Sequence, residues 1–177
     1  MRATSLLAIS AAALALAGCA TYDDTASGQV GQATLLTSNG SPAGAAELMS
    51  DGQTLSLAVM ANGLQPGEHG FHLHTTGLCE GPDFQSAGGH LNPADNEHGS
   101  LNPQGKHLGD LPNLSVGASG TARTEVDLGR DTPQLRSQLF DSDGTAVMIH
   151  SGPDDYRSDP AGDAGSRVAC GVMTTAG

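Results

Sequence analysis

Apolar and polar positions along this chain follow a short period. Residues 54–61, TLSLAVMA, alternate so that Leu55, Leu57, Val59 and Ala61 share one face, as a half-buried strand requires. Residues 30–37 and 45–49 are further strand candidates. The turn cluster Ser38-Asn39-Gly40-Ser41-Pro42 lies between them, so the pair reads as a hairpin. The turn signals Asn62-Gly63 and Pro66-Gly67 precede the apolar run GFHLH at 70–74. Residues 113–117 and 120–128 give two weakly patterned strands, 146–150 (AVMIH) a buried one, and 167–174 (RVACGVMT) the last. Beyond the leader, no run of ten or more residues keeps a helical apolar stripe. Segment 132–140 admits a helical turn, and its pattern does not decide the matter. About eight short strands without a repeat or an internal boundary predict one all-β domain, an antiparallel sandwich or barrel.

Between 75 and 113 both periods vanish in a stretch rich in Gly, Pro and Asn, which predicts a long loop. A structureless loop of about 35 residues inside a compact domain is uncommon and usually functional or disordered. Closing it costs entropy. It carries His90, His98, His107 and Asp110, and with His72 and His74 it places five of the seven histidines between 70 and 110. Side chains alternate on a strand, so His72 and His74 leave the same face. Imidazole and carboxylate are metal ligands, and a bound metal would offset the cost of ordering the loop. His69 lies an odd number of residues from both strand histidines. It is expected to point elsewhere and to take no metal.

Composition refines this picture. Aromatic residues make up 3% and Trp is absent, so Val, Leu, Ile, Ala and Met must build the core, while 25 Gly and 9 Pro imply many turns. At 177 residues the chain suits a single domain. Met1-Arg2 gives a positive start, residues 6–17 are apolar, and Leu16-Ala17-Gly18-Cys19 is similar to a bacterial lipobox. On that reading 1–18 is a lipoprotein signal peptide, Cys19 is lipidated, 19–28 is a tether and 29–177 is the folded domain. The alternative is an ordinary signal peptide cut after 15–17, with Cys19 left as a thiol. Both make the protein exported. Ala20 after Cys19 favours outer-membrane sorting, so the expected location is the periplasm, with a lipid anchor as the expected membrane contact. No later apolar stretch reaches the ~20 residues needed to span a bilayer. If Cys19 carries lipid, Cys79 and Cys170 remain as an even pair in an oxidising compartment, where a disulfide is the natural reading and two separate buried thiols the other. The formal net charge is −12, one more negative once Arg2 is removed, and nucleic acid is not an expected partner.

GFHLH at 70–74, GGHLNP at 88–93, HLGDLPN at 107–113, VMIHSGPDD at 147–155 and AGSRVACGV at 164–172 together resemble the copper, zinc superoxide dismutase family, over roughly residues 28–174. The lipobox and the Gly-Pro-Asp-Asp-Tyr loop are similar to its periplasmic bacterial branch. The resemblance implies an eight-stranded antiparallel Greek-key β-barrel with a long metal-binding loop and a second loop over the active site. It implies copper held by His72, His74, His90 and His150, and zinc held by His90, His98, His107 and Asp110, with the His90 ring shared. Asp154 would accept hydrogen bonds from His72 and His98, Arg167 would attract superoxide at the mouth of the copper channel, and His69 would bond backbone.

The residue types suit that chemistry independently. Imidazole fits both metals, and three histidines with one carboxylate make a closed tetrahedral zinc site. In so acidic a chain an anionic substrate needs a local positive patch, which bound copper and Arg167 would supply, with Lys106 either adding to it or standing as a solvated surface lysine. Asp155 is expected to be solvated. A copper carrier without turnover would have little need of Arg167, and a metallohydrolase would need an open zinc position. Monomer and homodimer both stay open.

Overall fold

A computed structural model of the chain describes residues 27–176. The expected signal peptide, Cys19 and most of the expected tether lie outside the described residues.

The alternating segments form strands. In chain order these are β1 (Gly28–Thr37), β2 (Pro42–Ser50), β3 (Thr54–Ala61), β4 (Gly67–His69), β5 (Phe71–His74), β6 (Leu114–Val116), β7 (Ala122–Arg130), β8 (Ala146–His150), β9 (Arg167–Val172) and β10 (Thr174–Thr175). All pairings between strands are antiparallel, with β5-β8-β9-β1-β2-β3-β7 in sheet order, β10 on β1, and β4 on β6. The expected 30–37/45–49 hairpin is present. Its turn is closed by the Asn39 side chain, which accepts from the Thr37 hydroxyl at 2.6 Å and from the Ser41 N–H at 3.1 Å. Two crossovers, from β3 to β4 and from β7 to β8, turn the meander into the curled Greek-key barrel that was expected.

The ten strands correspond to the expected eight. The 70–74 strand begins earlier, at Gly67, and is broken at Gly70; the last strand breaks at Met173. At Gly70 the chain changes sides, with β4 pairing to β6 and β5 to β8. The Gly70 N–H donates to the Gly152 carbonyl at 2.7 Å, its carbonyl accepts from the His150 N–H at 2.8 Å, and a Cβ there would meet that of Ala164 at 2.7 Å. Only glycine fits. The undecided segment 132–140 is a short helix, α1 (Pro133–Leu139). The Thr132 hydroxyl caps it by accepting the Leu135 N–H at 3.1 Å, Pro133 opens it, and Leu135 and Leu139 are buried one turn apart.

Alternation on β5 and β8 separates two environments. Phe71 and Leu73 lie opposite Ile149 and Val147 and join Leu35, Leu48, Leu55, Leu57 and Val59 in the barrel interior. His72 and His74 lie opposite Met148 and Ala146 on the outer face, where a second apolar cluster of Phe84, Ala87, Met148 and Cys170 packs beneath the long loop. The strands shared with the core therefore present the histidines on the opposite side.

The segment 75–113 is a loop, as its composition required, but it is not structureless. It contains a 3-10 turn, Gln85–Ala87, and rests on β5 through a closed triangle of backbone bonds. Leu91 N–H donates to Leu73 O at 2.8 Å, Gly109 N–H to Leu91 O at 2.9 Å, and Leu73 N–H to Gly109 O at 3.0 Å. Each corner adjoins a candidate ligand: Leu73 lies between His72 and His74, Leu91 follows His90, and Gly109 precedes Asp110. The Cys79–Cys170 disulfide ties the same loop to β9 across 91 residues, a closure worth about 4 kcal/mol in the chain-entropy model.

A Cβ on Gly109 would approach the Leu73 carbonyl oxygen to 2.2 Å and the Leu91 nitrogen to 2.9 Å. Gly109→Ala is expected to open the triangle and to cost about 1–3 kcal/mol, the usual range for overpacking. Denaturant midpoints of the two proteins measure this; equal midpoints would show that the triangle tolerates a methyl group.

Candidate metal centre

Six buried histidines and one buried aspartate meet where the loop covers β5 and β8. They form two groups with one shared member: His72, His74, His90 and His150, and His90, His98, His107 and Asp110, the ligand atoms of each lying within 4.8 Å of one another.

In the first group every ring is turned by its second nitrogen. His74 Nδ1 donates to the Gly88 carbonyl at 3.0 Å, His150 Nδ1 to the Gly165 carbonyl at 3.1 Å, and His72 Nε2 to Asp154 Oδ2 at 2.9 Å. The other nitrogens, His72 Nδ1 and Nε2 of His74, His90 and His150, are buried without a hydrogen-bond partner. Orphaned buried polar atoms are rare. Four of them converging is the signature of a cation site, and the all-nitrogen set fits copper. Burial drives these rings toward the neutral form that a ligand needs: it lowers His74 to about 2, His150 to about 3 and His90 to about 4, and neighbouring imidazoles add to the effect.

In the second group Asp110 Oδ1 lies 2.8 Å from His90 Nδ1 and 3.0 Å from both His98 Nδ1 and His107 Nδ1. Its Oδ2 accepts the N–H of Gly99 and of His107, each at 2.9 Å. Burial alone would raise the Asp110 carboxyl, but these donors hold it well below its ordinary range. Three imidazole nitrogens gathered within 3.0 Å of one carboxylate oxygen make a three-histidine, one-carboxylate set, the ligand types that fit zinc.

His98 differs from its neighbours. Burial opposes its charged form, yet Asp110 and Asp154 accept from both ring nitrogens and raise it to about 9. Asp154 spans the groups, with Oδ2 on His72 and Oδ1 at 3.0 Å from His98 Nε2. These are the two partners expected for it.

Arg167 lies opposite His150 on β9 and lines a cleft of about 640 Å³ with His150, Asp83, Gln85 and Ser166. Its guanidinium donates to the carbonyls of Phe84 and Gly88, each at 2.6 Å. Gly88 O thus serves both Arg167 and His74. Lys106 does not share that cleft. Its Nζ donates to the Asp110 carbonyl at 3.1 Å, and it lines a separate small recess with Ser100, Leu111, Pro112 and Tyr156. His69 contributes nothing to either group, because its ring lies between the carbonyls of His150 and Gln65, at 2.6 and 2.8 Å. Asp155 is exposed, as expected, and caps the turn at Arg157 and Ser158. Sequence reasoning missed the supporting groups. Asn113 and Tyr156 lie within the motifs HLGDLPN and Gly-Pro-Asp-Asp-Tyr but carry no expected role, Asp159 stands out in no motif, and the carbonyls of Gly88 and Gly165 have no sequence signal at all.

An antiparallel barrel that carries two buried donor sets meeting at one imidazole has the ligand types of a metal-binding protein. The model of the family described as copper/zinc superoxide dismutase matches residues 43–173. A superoxide dismutase [Cu-Zn] of Aquifex aeolicus is 45% identical over 144 residues, covering 80% of this chain and 84% of that one. The crystal structure of a SOD-like protein from Bacillus subtilis superposes with a TM-score of 0.74 at 40% identity, covering 80% of this chain and 96% of that one. Cu/Zn superoxide dismutase from Brucella abortus gives 0.64 at 29%, covering 80% and 97%. The chain belongs to the copper/zinc superoxide dismutase family: it is an oxidoreductase whose cofactors are copper and zinc.

Zinc on His98 Nδ1 must displace the proton held there below about pH 9. Zinc uptake at pH 7.5 is therefore expected to release about one proton, and affinity to rise roughly tenfold per pH unit from 7 to 8. The sign follows from His98 being protonated before zinc binds and neutral at Nδ1 afterwards. Competition with a chelating dye across that range measures the slope; a flat line would mean that His98 holds no proton that zinc must displace.

Proposed function

We propose that the four-histidine group holds copper, that His90, His98, His107 and Asp110 hold zinc, and that the protein dismutes superoxide, 2 O2•− + 2 H+ → O2 + H2O2, by copper redox cycling across the His90 bridge. The single observation that carries this reading is the convergence of four orphaned buried nitrogens beside a three-histidine, one-carboxylate set that shares His90. Copper held by the four histidines would supply one-electron chemistry between Cu(II) and Cu(I), and zinc held by His90, His98, His107 and Asp110 would have a structural role.

The protein residues divide the remaining work. Arg167 attracts the anion into the cleft, and because two carbonyls fix its fork, docking costs little further ordering. Its remaining N–H groups are available to oxygen. In a chain of formal charge −12, focusing by this one cation offsets the unfavourable overall field. His90 carries a proton at Nε2 between half-cycles. With Nδ1 committed to zinc, a ring protonated at Nε2 is neutral, so burial does not oppose it. Asp154 keeps His72 and His98 in the tautomers that the sites need.

The leader pattern supports export, with Cys19 as a lipid anchor and the cell envelope as the compartment protected. Radiolabelled palmitate should appear on the full-length protein and be lost in Cys19→Ala; equal labelling of both would dismiss the anchor.

A superoxide assay on protein loaded with both metals tests the activity, since a copper carrier would bind without turnover. Arg167→Glu is expected to slow turnover at least about tenfold at low salt and to reverse the dependence of rate on ionic strength. Identical salt profiles would remove Arg167 from steering.

A further inference from the structure

Resting on the dinuclear reading, we propose that Tyr156 is a positioning residue, one that keeps the Asp154 carboxylate aimed at both donor groups at once. Asp154 gives each of its oxygens to a different ring, His72 at 2.9 Å and His98 at 3.0 Å, so a small rotation would break one contact or the other. Its backbone is clamped by Asn113, whose side-chain N–H donates to Asp154 O at 2.9 Å while its side-chain oxygen accepts the Asp154 N–H at 2.8 Å. The Tyr156 hydroxyl then accepts the Asn113 backbone N–H at 2.7 Å. Its own N–H donates to Asp154 Oδ1 at 2.6 Å, and its carbonyl accepts the Leu101 N–H at 3.0 Å. One residue thus touches the carboxylate, the clamp and the loop that carries His98.

Two further features make that placement demanding. Tyr156 has a φ of 63°, a conformation that L side chains rarely adopt and that persists only where surrounding bonds enforce it. The neighbouring chain leaves no slack, because a Cβ on Gly99 would meet the Tyr156 carbonyl oxygen at 2.1 Å and one on Gly162 would meet Asp154 Oδ1 at 1.9 Å. The hydroxyl is the one side-chain bond that holds Tyr156 to Asn113, and removing it frees the turn at its most strained residue.

Tyr156→Phe keeps the ring and removes that bond. In protein loaded with both metals, zinc release to excess chelator is expected to quicken about three- to tenfold, below the full effect of losing a partner of the ligands themselves. With cobalt(II) in the zinc position, the visible absorption should shift, a change that general loosening elsewhere would not produce. Asp154→Asn supplies the decisive comparison: if Tyr156 acts through Asp154, adding Tyr156→Phe to Asp154→Asn should have little further effect on release. Unchanged release and spectrum in Tyr156→Phe, or effects that simply multiply in the double variant, would overturn the proposal. Failure of the unaltered protein to take up zinc would instead overturn the dinuclear reading, and this proposal would fall with it.

Discussion

An imidazole has two nitrogens, and a buried ring that directs one of them at a cation must satisfy the other elsewhere. The centre is organised around that requirement. Backbone carbonyls of Gly88 and Gly165 satisfy His74 and His150, and Asp154 satisfies His72 and His98. Each such bond fixes a tautomer and a ring direction together. His90 alone directs both nitrogens toward donor groups, which is the property a shared ligand needs. Without these partners each buried ring would leave a second polar nitrogen unsatisfied, a cost that the bonds remove.

The barrel makes the requirement achievable. Strands β5 and β8 commit one face to the core and leave the other for the site, so ligand spacing is inherited from pleat and register. The loop is then fastened by three means: the backbone triangle, the disulfide to β9, and the contacts that Asp154, Tyr156 and Asp159 make from the second loop. All three join protein groups directly, two of them between the loop and a neighbouring strand and one between the two loops.

Much of this was legible in the chain. Alternation in TLSLAVMA and FHLH gave strands and faces directly, since the period-two pattern is the pleat itself. His72, His74, the loop ligands His90, His98, His107 and Asp110, and the disulfide pair stood out in the residue pattern, whereas His150 and Asp154 were named only through the family resemblance. The break at Gly70 was not read, because a glycine inside an apolar run is consistent with both a continuous strand and a corner. The 75–113 segment was identified as loop, but its internal bonds were invisible: they join backbone groups, which every residue carries. Lys106 shows the limit of charge counting, since a cation near ligands in sequence bonded the Asp110 carbonyl rather than facing the cleft. Segment 132–140 was undecided because one turn offers too few positions to establish a period.

The Gly88 carbonyl, gripped by both Arg167 and His74, joins the cation lining the cleft to a candidate metal ligand. Attraction and coordination are consequently not independent variables in this protein. A lysine at 167 would preserve the charge but could not straddle Phe84 and Gly88 as a planar fork does. Whatever retunes substrate capture by altering that side chain also disturbs the lever that aims His74. Changes in capture that spare coordination are therefore confined to the rim, at neighbours such as Asp83 and Gln85.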